Sequence, residues 1–353
     1  MKKLKIGVIG LGGIANFHME GIQASEDAEL WSICDCNEEA LASRGEQLNI
    51  PMERRYTDHK LMLRDAELDA VTIGTPNSNH FAAAHDCIQA GKPFALEKPI
   101  ALNVEEASTL RDALAVNPMP HMVCFSYRYK AAVRYAKQLI EQGELGIIHH
   151  VYSQYLQSWG LNEDIPLVWR FRKDLSGSGA LGDLGSHILD LHRFLVGETV
   201  RVFSDAGTIV KERNLIGAEG KGAVDVDDFC HVLARFEGGA SSSMSISRFA
   251  YGRGNYQQVE VYGTKGALLY NLEEEDTLQA KFGDEQQFRS IAIPAECRVG
   301  QMQSFFDLLL GRGDGLDATI EDGYMNQLTI DRIIQSFTEE RWISTLQEAV
   351  NHG

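Results

Sequence analysis

The first 35 residues constrain the fold more than any other part of the chain. Residues 4–9 form an apolar run long enough for a buried strand, and 14–25 carry a helical pattern. Between them lies Gly10-Leu11-Gly12-Gly13-Ile14-Ala15, which fits G-x-G-x-x-A. The first glycine permits a tight turn and the second lets the backbone approach a pyrophosphate. A small third residue lets the helix pack on the strand. Asp35 follows the next expected strand, 30–34, and stands 20 residues past Ala15. A carboxylate there can accept hydrogen bonds from the adenine-ribose hydroxyls. Gly10, Gly12, Gly13, Ile14 and Asp35 are therefore candidate dinucleotide-binding residues. The cofactor expected is NAD rather than NADP. Cys36 and Asn37 offer no positive charge for an extra phosphate, and Arg44 lies one or two helical turns further on.

The same rhythm continues to residue 125. Strands are expected at 70–74, 94–97 and 122–125, with helices at about 78–90 and 104–115. Alternating strands and helices imply a parallel sheet covered on both faces, a doubly wound α/β domain over 1–125. The pattern then changes. Helices are expected at 131–142 and 179–196, and alternating stretches at 147–157, 229–236, 240–247, 257–263 and 266–272. Turn signals such as Glu237-Gly238-Gly239 and Gly263-Thr264-Lys265-Gly266 separate them. This predicts an α+β domain over 126–353 with a large, mostly antiparallel open sheet. Helical patterns at 302–310 and 322–340 end it, and Glu273-Glu274-Glu275-Asp276 reads as a solvated turn.

Charge narrows the partners. The chain carries 50 acidic and 33 basic residues, a net charge of -17. That surface repels phosphate backbones and argues against nucleic acid as a partner. It still allows a phosphate-bearing cofactor, which backbone N–H groups at a helix start can hold. No apolar run approaches about 18 residues, so no membrane span is expected. Met1-Lys2-Lys3 could begin a signal peptide, but Gly10, Gly12, Gly13, Asn16 and His18 interrupt the apolar stretch. The six cysteines are scattered, without paired ligand spacing. They read as reduced thiols of a cytoplasmic protein with no metal site.

Three further motifs carry chemistry. Gly177-Ser178-Gly179-Ala180-Leu181-Gly182 spells G-x-G-x-x-G, yet it follows the polar run Arg170-Phe171-Arg172-Lys173-Asp174 instead of a buried strand. Context rejects it as a dinucleotide site, and its glycines are expected to admit some other ligand to a helix start. That helix carries Asp183, His187 and Asp190, at spacings of four and three that place them on one stripe. A carboxylate one turn from a histidine can fix its tautomer and stabilise its protonated form. A satisfied core histidine is the alternative. Glu97-Lys98-Pro99 ends one parallel strand, and Thr75-Pro76-Asn77, with His80 beyond it, ends another. Ligands bind outside such strand ends. Lys98 there is either a hydrogen-bond donor and proton carrier or a surface lysine before a proline.

Taken along the chain, Gly10-Leu11-Gly12-Gly13-Ile14-Ala15, Thr75-Pro76-Asn77 with His80, Glu97-Lys98-Pro99, Tyr127-Arg128-Tyr129 and Gly182-Asp183-Leu184-Gly185-Ser186-His187 resemble the glucose–fructose oxidoreductase / inositol dehydrogenase family of nicotinamide-dependent oxidoreductases. The resemblance spans nearly the whole chain. It implies an N-terminal Rossmann domain and a C-terminal domain that binds substrate and forms a homo-oligomer, a dimer or tetramer. It implies that Lys98, Asp183 and His187 are catalytic. Thr75, Asn77, His80, Glu97 and Lys98 would lie along NAD, and Arg128 near the substrate. Tyr155-Leu156-Gln157-Ser158-Trp159 and Trp169-Arg170-Phe171 look like members acting on sugars, glycosides, anhydrosugars or inositols. Trp159 and Trp169 could stack on a sugar ring and Arg170 hydrogen-bond its hydroxyls, unless these aromatics simply pack under the sheet. The implied activity is NAD-dependent oxidation of a ring hydroxyl of a sugar or cyclic polyol. A non-catalytic NAD and sugar sensor, and an NAD-dependent glycosidase of the same fold, are the alternatives. The intact Lys98/His187 pair argues against the sensor.

Overall fold

The computed structural model describes residues 2–273 and 277–346. They form two compact units, 2–125 with 299–327, and the described residues of 126–298 with 328–346. The first unit begins with β1 (Leu4–Ile9), α1 (Gly13–Ala24), β2 (Ala28–Cys34), α2 (Glu38–Gln47), β3 (Arg55–Tyr56) and α3 (His59–Met62). It continues with β4 (Ala70–Ile73), α4 (His80–Ala90), β5 (Phe94–Leu96), α5 (Val104–Val116) and β6 (His121–Val123). Its strands are all parallel, in the order β3-β2-β1-β4-β5-β6. Ile6, Val8, Ile9, Val71 and Ile73 are buried, as a sheet covered on both faces requires. The chain leaves β1 toward one edge and β4 toward the other. That switch opens a crevice at their carboxyl ends, where the glycine turn lies.

The second unit contains α6 (Ala131–Glu141), β7 (Ile148–Leu156), α7 (Lys173–Ser176), a π-helical turn (Leu181–Gly185) and α8 (Ser186–Leu195). Strands β8 (Thr199–Gly207), β9 (Glu212–Asn214), β10 (Lys221–Ala223), β11 (Phe229–Phe236) and β12 (Ser241–Ser247) follow. Then come β13 (Tyr256–Gly263), β14 (Gly266–Asn271), β15 (Thr277–Phe282) and β16 (Arg289–Ser290). Helices α9 (Gln301–Leu309) and α10 (Ile320–Glu339) and strand β17 (Ile343–Ser344) close the described chain. Nine strands form one sheet, β16-β15-β14-β13-β7-β12-β11-β8-β17. All its neighbours are antiparallel except β7 and β12. On β11, Cys230, Val232, Ala234 and Phe236 point inward, while Leu233 is exposed. Strands β9 and β10 form a separate hairpin.

The expected boundary at 126–353 is corrected at its C-terminal side, because 299–327 packs with the first unit. Phe305 and Phe306 are fully buried there. The Gln303 amide donates to Asp27 at 2.9 Å and accepts from the Ser25 hydroxyl at 2.9 Å. Val123 N–H donates to Ala318 O at 2.8 Å. Several elements were not expected, among them α2, β3, β8 and β15. α2 buries only Leu41 and Gly45, and β3 has two residues. β8 turns Ser204 inward, where its hydroxyl donates to Ile333 O at 2.7 Å, so its apolar alternation is broken. β15 turns only Leu278 and Ala280 inward. Of the expected turn at 273–276, Glu274, Glu275 and Asp276 lie outside the described residues.

Burial also sets an acid limit on stability. His192 on α8 is buried beside the Ser153 hydroxyl, 3.0 Å from its Nε2, and burial pushes its pKa down to about 4. An unfolded histidine titrates near ~6.5, so between about pH 6.5 and 4 the unfolded chain takes up a proton that the folded chain refuses. His192 therefore favours folding fully above about pH 6.5, and that contribution falls as the pH drops. The slope from one such group approaches about 1.4 kcal/mol per pH unit. His80 and His121, also lowered by burial, add in the same direction. Denaturant titrations between pH 7 and 4.5 should show a shallower loss in His192→Gln. An identical slope in that variant would remove His192 as the cause.

Candidate active site

The glycine turn after β1 is built for a phosphate group. Gly10 has φ +88°, and a Cβ there would meet Gly74 O and Thr75 N at 2.8 Å, so only glycine fits. Gly12 and Gly13 face open space, and α1 starts with no capping side chain and no acid in its first turn. Its N–H groups and positive dipole end are thus left for a ligand anion. Ile14 is exposed beside them. Asp35 flanks the turn. Its Oδ2 accepts from Leu11 N–H at 2.8 Å and its Oδ1 from Asn37 N–H at 2.9 Å. Asn37 caps α2. Arg44 on α2 donates to Asn16 at 2.6 Å and Gln47 at 3.1 Å. These residues fit a bound NAD.

The ends of β4 and β5 carry the other expected cofactor residues. Asn77 is buried and Lys98 half-buried, with Thr75 half-buried at the turn. His80 sits between two backbone carbonyls, Nδ1 at 2.6 Å from Pro99 O and Nε2 at 2.8 Å from Thr75 O. Burial lowers its pKa and favours the neutral ring. Glu97 turns inward: Oε1 is 3.0 Å from His18 Nε2 on α1, and Oε2 accepts from Lys98 N–H at 3.3 Å. Both side chains thus tie the turns of the site together.

In the second unit the expected helix 179–196 is not a single α-helix. Ser186 N–H reaches back five residues to Leu181 O, so residues 181–185 form a π turn before α8. The stripe drawn from α-helical spacing is therefore broken. Asp183 is partly exposed, its Oδ2 accepting from Arg248 Nη2 at 3.1 Å and lying 4.0 Å from Arg170 Nε. His187 is buried, its ring edge-on to Tyr127 at 4.6 Å and 6.2 Å from Tyr155. Asp190 is buried elsewhere: Arg128 Nε and Nη2 donate to its carboxylate at 2.9 and 2.6 Å. Arg128, expected near the substrate, is itself buried and holds α8 through this ion pair.

The second glycine motif packs against the chain's own backbone at Gly179. A Cβ on Gly179 would lie 1.8 Å from Asp227 O, so the close approach is to the chain's own backbone. The Asp227 carboxylate accepts from Gly179 and Leu181 N–H, each at 2.7 Å, and caps the turn. Burial raises its pKa, against the pull of these bonds. Sequence reasoning missed Asp227, because Asp225-Val226-Asp227-Asp228 looks like a solvated acidic run. In fact each of its acids accepts from backbone N–H groups.

The Tyr127 and Tyr155 hydroxyls lie 2.5 Å apart, and burial raises both pKa values, so both stay protonated. Tyr155 donates to Asn255 at 2.8 Å, Gln157 donates to the same oxygen at 2.8 Å, and Trp159 Nε1 donates to Gln157 at 2.7 Å. This chain of hydrogen bonds runs from the rings beside His187 to Trp159. Trp159 also packs on Phe171 at 5.5 Å, and Arg170 stacks on Trp169 at 4.4 Å. Arg213, also missed, is fully buried and donates to Gly160 O and Asn162 O at 2.7 Å and Ile165 O at 3.1 Å. It holds the loop that carries the tryptophans.

Among the described residues, no helix is long and apolar enough to cross a membrane. Residues 4–125 match the model of an oxidoreductase family with an NAD-binding Rossmann fold, and residues 133–269 that of the GFO/IDH/MocA C-terminal domain. Levoglucosan dehydrogenase of Pseudarthrobacter phenanthrenivorans is 33% identical, over 98% of this chain and 99% of its own. A solved structure of levoglucosan dehydrogenase in complex with NADH superimposes with a TM-score of 0.90, covering 98% of this chain and 100% of that one. Myo-inositol 2-dehydrogenase of Thermotoga maritima is 30% identical over 78% of this chain and 77% of its own. With both halves matched and a 33% identical relative aligned almost end to end, the chain belongs to the GFO/IDH/MocA family of oxidoreductases.

Proposed function

We propose that this chain is an NAD-dependent dehydrogenase that oxidises a ring hydroxyl of a sugar or cyclic polyol, with the anhydrosugar levoglucosan as the first candidate. The observation that carries the reading is the π turn bearing Asp183 and the start of α8 bearing His187, set beside the Tyr127–Trp159 hydrogen-bond chain, in a protein whose other unit has an open glycine turn. NAD, when bound, supplies the hydride acceptor. His187 takes the proton of the reacting hydroxyl as its carbon loses hydride. Lys98 donates a hydrogen bond to that oxygen as it becomes a carbonyl. Asp183 fixes the orientation and charge of the pair. Trp159, Trp169 and Arg170 select the ring, through an apolar face and a guanidinium for its hydroxyls. The test is NADH absorbance with levoglucosan, myo-inositol, glucose and short linear alcohols. The expected result is turnover of a ring polyol. A clear preference in kcat/KM for an acyclic alcohol would overturn the substrate class.

NAD is preferred over NADP. A 2′-phosphate would place its charge beside the Asp35 carboxylate, and two unit charges 4 Å apart repel by about 4 kcal/mol at an effective dielectric near 20. Solvent reduces this to a net preference of about 1.4–2.8 kcal/mol, ten- to a hundred-fold. Two backbone N–H groups hold Asp35 in place, and Arg44 is engaged by Asn16 and Gln47. The ratio of kcat/KM for the two cofactors should collapse in Asp35→Ser. Equal use of NADP by the unmutated enzyme would rule Asp35 out as the discriminator.

The protein works as a homo-oligomer in the cytoplasm. Tyr152, Leu233 and Phe203 line up in register with Ser243 across the sheet, and Tyr152 and Leu233 are exposed, which supports a covering subunit. Its six free thiols, five of them buried, support a reducing compartment.

A further inference from the structure

Arg248 stands just past β12 and is 1% exposed. A buried guanidinium is costly unless its donors and its charge are met. Here Nη2 donates to Gly179 O at 3.0 Å and to Asp183 Oδ2 at 3.1 Å, and Nη1 reaches Arg170 O at 3.5 Å. Its Cζ lies 4.9 Å from the centre of the Trp159 ring. The main chain joins in, since Arg248 O accepts from Gly160 N–H and Arg248 N–H donates to Asp228 O, both at 3.0 Å. One residue therefore touches the π turn, its carboxylate and both ends of the tryptophan loop.

We infer that Arg248 is a positioning residue that couples Asp183 to the substrate loop, setting turnover through the first and substrate affinity through the second. The inference rests on the role given to Asp183 above. An arginine suits this task because Nη2 meets Gly179 O and Asp183 together while Nη1 faces Arg170 O and the planar head lies near the Trp159 ring. Its positive charge faces the Asp183 carboxylate at 3.1 Å.

The experiment is a double-mutant cycle of Arg248→Met and Asp183→Asn, with levoglucosan or, if the panel favours it, myo-inositol as substrate. Arg248→Met should lower kcat about tenfold or more and raise KM severalfold, with the Kd for NAD within about twofold. The double variant should be no slower than Asp183→Asn within about threefold, since residues acting as a unit are not additive. A purely structural arginine would lower kcat by the same factor in the Asp183→Asn background as in the unmutated enzyme. Arg248→Lys should restore part of kcat and little of KM, and it takes the place of Arg248→Met in the cycle if that variant does not fold. Multiplicative losses in the double variant would overturn the inference alone. An Asp183→Asn enzyme with near-normal kcat would overturn the assignment beneath it as well.

Discussion

His187→Ala and Lys98→Ala each lower kcat by about 10²–10⁴-fold, the usual effect of losing a positioned proton-transfer group. Neither variant should lose its fold. Lys98 is half-buried at a strand end, and His187 packs edge-on against Tyr127 without being the centre of a core. His187 belongs to the second unit, so its loss leaves the dinucleotide turn intact. Initial rates of NADH formation, NAD titrations and circular dichroism separate the possibilities. Turnover within a few fold of the unmutated enzyme in either variant would remove that residue from the reaction. A loss of NAD affinity that accounts for the whole defect would make Lys98 a binding group instead.

The largest stability effect lies at Arg128 and Asp190. Asp190→Ala and Arg128→Met each remove one half of this buried ion pair. Breaking a buried pair from one side costs about 3–5 kcal/mol. The guanidinium also stands 4.9 Å from the Phe194 ring, so Asp190→Ala does not leave it wholly without attraction. The combined change Arg128→Met with Asp190→Leu should recover most of the loss, since a well-packed apolar pair can replace a buried ion pair. Denaturant unfolding of the three variants decides this. Two single variants as stable as the unmutated protein would mean that the pair does not anchor α8. A rise in KM at unchanged stability in Arg128→Lys would return Arg128 to the substrate.

Where the geometry is local, the sequence shows it. The turn at Gly10, the acid at Asp35 and the strand-end lysine Lys98 are each defined by neighbours a few residues away. The two sheets were legible for the same reason, through short-range alternation. What stayed hidden was the support. Arg248 meets a carboxylate 65 residues earlier, Asp227 caps a turn 48 residues earlier, and Arg213 holds a carbonyl 53 residues earlier. No spacing rule links such partners before the chain has folded. Helical periodicity also misled at Asp190, because one π turn shifts the face on which every later side chain falls. The residues from 299 to 327 were assigned to the wrong unit because their helical pattern does not say which surface it will cover.

The hairpin of β9 and β10 has a practical meaning for enzyme engineers. Arg213 makes it the mould in which the tryptophan loop is cast, Leu167 N–H donates to Asn214 O at 2.8 Å, and Gly222 leaves room for Leu167. A transplant of residues 158–172 from a relative with another sugar preference would arrive without its template. The exchangeable cassette is the loop together with residues 212–223, and swaps that carry both should retain their donor's selectivity where the loop alone does not.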